Sequence, residues 1–151
     1  METGAAMTYV TDAALAAQTY ATEIEQLLDR NGDGTSDSGV LTLAMTTADA
    51  MIDGYLSGIY DVPLSPVPPL ITQIGCDIVR YLLWSTTPPD EARKRYDDAM
   101  SRLLDINKGT LTLVGSTGAV VDTAQPLAIG YELTSDDRTF TSTSLANFVG
   151  A

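Results

Sequence analysis

The 151-residue chain is predicted to be mainly α, a small bundle of about four or five helices followed by a C-terminal β-hairpin and an extended arm. Apolar residues recur every three or four positions through long stretches of the first two thirds, and proline and glycine clusters separate those stretches. After Gly109 the pattern changes to β-branched, alternating residues. We expect three parts: a disordered or added extension at 1–6, a helical body at 7–109, and the hairpin and arm at 110–151.

The N-terminal part of the body is predicted to contain two short helices. Thr11 and Asp12 can cap a helix over residues 13–18. Thr22 and Glu25 have the spacing of a capping box, which predicts the start of a second helix. Residues 29–39, with the sequence DRNGDGTSDSG, are too rich in Gly, Asp and Ser for a helix or a strand, so a structured loop follows.

A long amphipathic helix is predicted over residues 40–59. Its apolar positions recur at intervals of three and four, as one face of a helix requires: Val40, Leu43, Ala44, Ala48, Met51, Ile52, Tyr55, Leu56 and Ile59. Gly54 and Gly58 weaken the helix by roughly 1 kcal/mol each relative to Ala. We therefore interpret these glycines as positions where another helix packs closely.

Two further helices are predicted after a proline-rich corner. Four prolines between residues 63 and 69 force the chain to run extended, and Pro69 can then occupy the first turn of a helix reaching about Ser85. That helix is apolar around most of its circumference, so it belongs at the centre of the core. Another begins at Asp90 and ends at Gly109, and i,i+4 pairs of Arg93 and Lys94 with Asp97 and Asp98 are expected along it.

The region after Gly109 is predicted to leave the helical body. Residues 110–114 and 119–121 alternate as strands do and flank a glycine-containing turn, which indicates a hairpin. Residues 122–151 carry scattered apolar positions without a helical period. We interpret them as an arm that becomes ordered on a partner.

Charge and residue types exclude several functions. Twenty acidic residues against eight basic ones give a net charge of −12, so the chain should not grip nucleic acid phosphates. The chain has no histidine, which removes the commonest general base, and its only cysteine, Cys76, lies in an apolar stretch without a nearby basic partner. Neither a signal peptide nor a membrane span is recognisable. We expect a non-enzymatic, intracellular protein that binds other proteins.

The loop after the second predicted helix matches the first half of an EF-hand calcium loop. Oxygen-bearing residues occupy positions 1, 3, 5, 7 and 9, and Gly34 occupies position 6, where the loop turns sharply: Asp29, Asn31, Asp33, Thr35 and Asp37. Position 12 is Val40, so the bidentate Glu is missing. The alternative is an Asx-rich turn in which the side chains bond their own backbone. Either no cofactor or a weakly bound Ca²⁺ is expected.

The order of features resembles the Mu-like phage and prophage neck proteins over about residues 7–150. The succession of blocks includes LLDRNGDGTSD and RYDDAMSRLLDINKG, and its most specific parts are IDGYLSGIYDVPL and CDIVRYLLW. The resemblance implies a head-tail connector, or adaptor, of the virion neck, assembled in the host bacterial cytoplasm. Asn31 departs from the family, which more often has Asp there, and this lowers the expected affinity for calcium.

The resemblance also implies the partners. The first partner is the chain itself, since its copies would form a ring, a dodecamer in the virion. The others are the portal protein and a tail-side stopper or terminator protein. DNA would pass through the ring without specific binding, and no membrane is involved. Two other classes stay open: a calcium-binding intracellular interaction module, and an enzyme using carboxylates with a divalent ion, for which the sequence offers no second cluster converging on Asp33.

Overall fold

The computed structural model describes residues 8–124, and this part of the chain is helical. It contains five helices: α1 (Asp12–Gln18), α2 (Ala21–Leu28), α3 (Val40–Leu56), α4 (Pro69–Leu83) and α5 (Asp90–Asn107). The prediction of a mainly helical fold with four or five helices is confirmed.

Helix α4 is the centre of the body, as its apolar circumference predicts. It packs against α3 and α5, and α1 and α2 also contact it. The buried residues of α4 lie on all sides, and they include Ile71, Ile74, Cys76, Ile78, Val79 and Leu83. Burial of a helix on most of its surface requires neighbours on several sides, which explains why the other four helices surround it.

Helices α3, α4 and α5 alternate in direction. The end of α4 lies beside the start of α5, where Arg80 and Glu91 form an ion pair of 3.7 Å. The end of α5 lies beside the end of α3, where Asn107 Nδ2 donates a hydrogen bond of 2.6 Å to the carbonyl of Tyr55. The body therefore has two ends, one at the α4–α5 connection and one at the proline-rich corner between α3 and α4.

Most of the predicted helix boundaries are confirmed. Thr11 caps α1 by accepting a hydrogen bond from the Ala14 amide, Pro69 is the first residue of α4, and Gly109 follows α5 with a φ of +73°. The capping box at Thr22 is wrong. Helix α2 begins at Ala21 with Tyr20 as its N-cap, so Thr22 already lies inside the first turn and cannot cap it.

The β-hairpin prediction is not supported. Residues 110–124 form a turn closed by one isolated antiparallel bridge between Val114 and Val120, and no strand occurs within residues 8–124. Leu113 is instead buried against the helices, and its amide donates to the hydroxyl of Tyr60 at 3.3 Å. Leu113 thus packs on the bundle, and the two sides of the turn are joined by only two backbone hydrogen bonds, from the Gly115 amide to the Ala119 carbonyl at 2.8 Å and from the Val121 amide to the Leu113 carbonyl at 2.9 Å. The predicted arm beyond residue 124, and the extension at 1–6, lie outside the described residues.

The segment before α1 is fixed to the bundle by Tyr9 and Val10, both buried. The Tyr9 amide donates to Asp49 Oδ1 at 3.0 Å, its hydroxyl donates to Asp53, and the Leu64 amide donates to that hydroxyl at 3.0 Å. Burial, together with the hydrogen bond to Asp53, raises the pKa of Tyr9. One side chain therefore joins the N-terminal segment, α3 and the proline-rich corner.

The glycine prediction for α3 is wrong for the described residues, and the close approach occurs at Gly75 in α4 instead. A Cβ at Gly75 would lie 2.5 Å from Val10 Cγ2, whereas a Cβ at Gly54 or Gly58 would meet nothing within 4 Å. Gly75 therefore allows the N-terminal segment to lie against α4.

Candidate functional site

The loop between α2 and α3 contains all five predicted ligand residues and is organised by Asp29. Asp29 Oδ1 accepts hydrogen bonds from the amides of Gly32 and Asp33 at 2.7 and 3.1 Å, and Oδ2 accepts one from the amide of Gly34 at 2.8 Å. Gly32 and Gly34 have φ values of +76° and +82°, which glycine adopts without steric cost. The carboxylate therefore holds the sharp turn that the sequence predicts.

The other four predicted residues contact one another. Asn31 Nδ2 donates to Asp33 Oδ2 and to Asp37 Oδ1, each at 3.1 Å, and Thr35 donates through its amide and hydroxyl to Asp33 Oδ1. The hydrogen bonds from Thr35 lower the pKa of Asp33. Asn31 thus turns a donor toward both carboxylates, and a donor cannot coordinate a cation.

This arrangement fits an Asx-rich turn. Within residues 8–124, no group of three or more His, Cys, Asp or Glu side chains is placed to hold a metal ion. Most of the carboxylate oxygens in the loop already accept hydrogen bonds from the loop itself. Calcium binding by Asp29, Asn31, Asp33, Thr35 and Asp37 stays a prediction.

A network of ion pairs joins α2, α4 and α5. Arg80 contacts Glu23 with two hydrogen bonds, from Nε at 2.9 Å and from Nη2 at 3.0 Å, and also approaches Glu91. Arg95 contacts Glu91 at 3.0 Å and Asp77 at 4.0 Å. Two-point contact between Arg and a carboxylate fixes orientation, so the network holds α2 in place against α4.

Burial and charge shift the pKa values of this network in opposite ways. Burial alone would lower the pKa of Arg80, but its hydrogen bonds to Glu23 and the nearby carboxylates raise it overall. Burial raises the pKa of Asp77 even though Arg95, Arg102 and Arg80 act against it. Within residues 8–124, the expected i,i+4 ion pairs of Arg93 with Asp97 and of Lys94 with Asp98 are not formed, and this spacing is found at Glu91 and Arg95 instead. Sequence spacing gives no signal for the contacts between different helices.

A cleft beside this network leaves Tyr20 exposed. The cleft has a volume of about 590 Å³ and is lined by residues 16–21 of the α1–α2 turn together with Arg80, Glu91 and Arg95. Tyr20 is 81% exposed, although an aromatic ring of this size is usually mostly buried. Apolar surface beside charged groups is typical of a protein-binding site.

A second exposed apolar surface lies at the opposite end of the body. Val114 and Val120 flank the turn after α5 and are 45% and 62% exposed. A neighbouring groove of about 430 Å³ is lined by the proline-rich corner, including Leu64 and Pro66, and by residues of the turn. Neither surface is predictable from the sequence, because the exposure of these side chains depends on the tertiary packing.

The thiol of Cys76 is a candidate group for chemistry. Cys76 is buried, and burial raises the pKa of its thiol to about 11, so it is a poor nucleophile at neutral pH. The described body carries ion pairs, a hydrogen-bonded loop and exposed apolar surface at both ends. None of the helices within residues 8–124 is long and apolar enough to cross a membrane.

The described residues thus form a small helical body, and comparison with known proteins gives the family of the chain. The chain belongs to the family described as Bacteriophage Mu, Gp36, whose model matches residues 9–128. The resemblance to Mu-like phage proteins is therefore confirmed.

Two relatives illustrate the similarity. The Mu-like prophage FluMu protein gp36 of Haemophilus influenzae is 34% identical over 77 residues, which are 51% of this chain and 55% of the relative. Gene product J of Escherichia phage Mu is 30% identical over 104 residues, which are 68% of this chain and 74% of the relative. The chain thus spans just over half of the first relative and about three quarters of the second.

Proposed function

We propose that this protein is a structural subunit of the phage virion that connects head to tail. Copies of the chain form a ring in the virion neck, a dodecamer, between the portal protein and a tail-side stopper or terminator protein. The ring is assembled in the host cytoplasm, and the protein has no enzymatic role. Membership of the phage family supports a role in the phage particle. The exposed apolar side chains at both ends of the body support the role of joining two partners.

The observation that carries this proposal is the presence of exposed apolar side chains at both ends of α4. Tyr20 lies at the end where α4 meets α5, and Val114 and Val120 lie at the end where α3 turns into α4. A connector must bind a different partner at each end. A protein with one partner would need only one such surface.

The charge of the chain is compatible with the passage of DNA. A net charge of −12 repels phosphates, and protein–DNA affinity depends on their neutralisation by Lys and Arg. Five of the basic residues lie at 93–108, where five acidic residues between Asp90 and Asp105 balance them. DNA would therefore slide through a ring of such subunits without being held.

The proposal is tested by complementing a phage that lacks this gene with Tyr20→Asp. Asp is a favourable N-cap, so α2 and the body should fold as before, while a charge replaces the exposed ring. The matched control is Gln26→Asp, which adds the same charge at another exposed position of α2.

We expect Tyr20→Asp to give filled heads and separate tails in electron micrographs, and Gln26→Asp to restore infectious particles. Circular dichroism of both purified variants establishes that they fold. Wild-type titres with a folded Tyr20→Asp protein would contradict a joining role for this end of the body.

A further inference from the structure

The second side of the turn after α5, residues 119–124, has an open backbone edge. A single antiparallel bridge pairs Val114 with Val120, and the two hydrogen bonds that flank the bridge join their neighbours in the chain. In an antiparallel pair with this pattern, the two bridged residues point their own amides and carbonyls away from each other. Within residues 8–124, neither the amide nor the carbonyl of Val120 has a hydrogen-bond partner.

This open edge faces the proline-rich corner between α3 and α4. Successive amides of an extended segment point to alternate sides, so the amides of Val120, Asp122 and Ala124 share one side. The Ala124 amide donates a hydrogen bond of 2.6 Å to the carbonyl of Ile59, just before the corner. Beyond this contact a groove of about 430 Å³ opens, lined by residues of the corner and of the turn.

The corner does not complete the edge within residues 8–124. Pro63 and Pro66 have no amide N–H, and the amide of Leu64, between them, donates to the Tyr9 hydroxyl at 3.0 Å instead. A sheet edge with unpaired amides and carbonyls is a template for pairing with a strand of another chain. The backbone at Val120 is therefore available to a partner.

The groove combines apolar side chains with two carboxylates. Val120 is 62% exposed, and Leu64 and Pro66 line the groove with it. Asp61 and Asp122 line it as well, both are exposed, and neither forms an ion pair in the described part of the chain. Charge complementarity selects partners and fixes their register. A fitting partner segment therefore carries a Lys or Arg among its apolar side chains.

We propose that an extended segment of the partner bound at this end adds to the edge at Val120 as a β-strand. Its apolar side chains lie in the groove, and a Lys or Arg lies beside Asp61 and Asp122. In this mode the backbone hydrogen bonds supply affinity, and alternate side chains supply specificity. The proposal rests on the connector function, because it states which kind of segment that partner presents.

Titration of the full-length, ¹⁵N-labelled protein with two synthetic peptides tests this mode of binding. The first peptide, acetyl-Thr-Val-Thr-Lys-Thr-Val-amide, places Val and Lys on one side when it is extended, and the second has Glu in place of Lys. We expect a saturable shift of the Val120 amide signal with the first peptide and roughly fivefold weaker binding of the second, since exposed charge pairs contribute modestly. Equal binding of the two peptides, or no saturable shift at Val120, would overturn the proposal.

A double variant locates the charge effect. Asp61→Asn combined with Asp122→Asn should remove the difference in affinity between the two peptides. The matched control is Asp97→Asn combined with Asp98→Asn, which removes two exposed charges from α5 and should preserve the difference. A difference that persists in the groove variant would contradict recognition of the basic residue by these carboxylates.

A proline substitution tests the backbone edge. Val120→Pro removes the outward amide N–H and keeps an apolar side chain, and proline is tolerated on an edge strand. Val114→Pro is the matched control, because it makes the same change on the opposite edge of the turn. We expect Val120→Pro to weaken binding of the first peptide by roughly tenfold, followed at the Asp122 amide, and Val114→Pro to leave it unchanged. Unchanged amide shifts of the helices establish that both variants fold, and equal binding by the two would contradict strand addition at this edge.

The same variants distinguish this inference from the connector function in a phage that lacks the gene. We expect complementation with Val120→Pro to give separate heads and tails, as the phage without the gene does, and Val114→Pro to restore infectious particles. Infectious particles with Val120→Pro would overturn strand addition and leave the connector function standing. Infectious particles without any copy of the gene would overturn both.

Discussion

Two glycine substitutions in helices should change stability in opposite directions. Gly75→Ala places a Cβ 2.5 Å from Val10 Cγ2, whereas Gly54→Ala places one in open space. A normal contact between carbon atoms is about 3.8 Å, so the Val10 methyl must retreat by about 1.3 Å. Val10 is buried and has little space into which to move.

The magnitudes follow from overpacking and helix propensity. Overpacking a filled core costs about 1–3 kcal/mol, and replacing Gly by Ala within a helix returns up to about 1 kcal/mol. Gly75→Ala should therefore lower the free energy of unfolding by about 1–2 kcal/mol. Gly54→Ala should raise it by about 0.5–1 kcal/mol, because only the helix propensity changes there.

Urea denaturation followed by circular dichroism measures both changes. A double-mutant cycle with Val10→Ala identifies the cause, since removal of the methyl should make Gly75→Ala much less harmful and give a coupling of about 1 kcal/mol or more. Equal effects of Gly75→Ala and Gly54→Ala, or additive effects in the cycle, would refute the close packing of the N-terminal segment on α4.

Three further predictions concern the carboxylates of α4 and of the loop after α2. Burial raises the pKa of Asp77, so the charged form of this side chain is disfavoured in the folded state. Asp77→Asn should therefore be more stable than wild type to urea at pH 7. The gain in stability should shrink as the pH falls through the raised pKa and vanish below the ordinary pKa of 3.8. An equal gain at pH 7 and pH 3 would exclude this cause. Asp29→Ala removes the acceptor of three exposed loop amides, which water can then satisfy in part, and should lower the free energy of unfolding by about 0.5–1.5 kcal/mol. If the loop is an Asx-rich turn alone, millimolar Ca²⁺ should leave the wild-type melting temperature unchanged. An increase in that melting temperature with Ca²⁺, lost in Asp29→Ala, would establish a calcium site.

The helices could be predicted because their signals are local. Three signals affect only neighbouring residues in the chain: the spacing of apolar residues from Val40 to Leu56, the prolines before α4, and Gly109 after α5. The identity of the most buried helix was predictable as well, because α4 is apolar around most of its circumference and lies at the centre of the body. The loop at 29–37 was also predictable, because Asp29 and the glycines determine its turns by themselves.

The wrong predictions concern sequence patterns that are compatible with two different structures. Residues 110–121 alternate as strands do, but burial of Leu113 against the helices satisfies the same pattern. Gly54 and Gly75 are both glycines in apolar helices, and only the packed structure distinguishes the open position from the crowded one. Contacts such as Arg80 with Glu23 join residues 57 positions apart, so no spacing rule predicts them.

The most direct test of the connector function is electron microscopy of lysates from a phage that lacks this gene. The proposed role predicts filled heads beside complete, unattached tails, because under that role only the joining of the two parts requires this protein. Intact, infectious particles in the same lysates would contradict it.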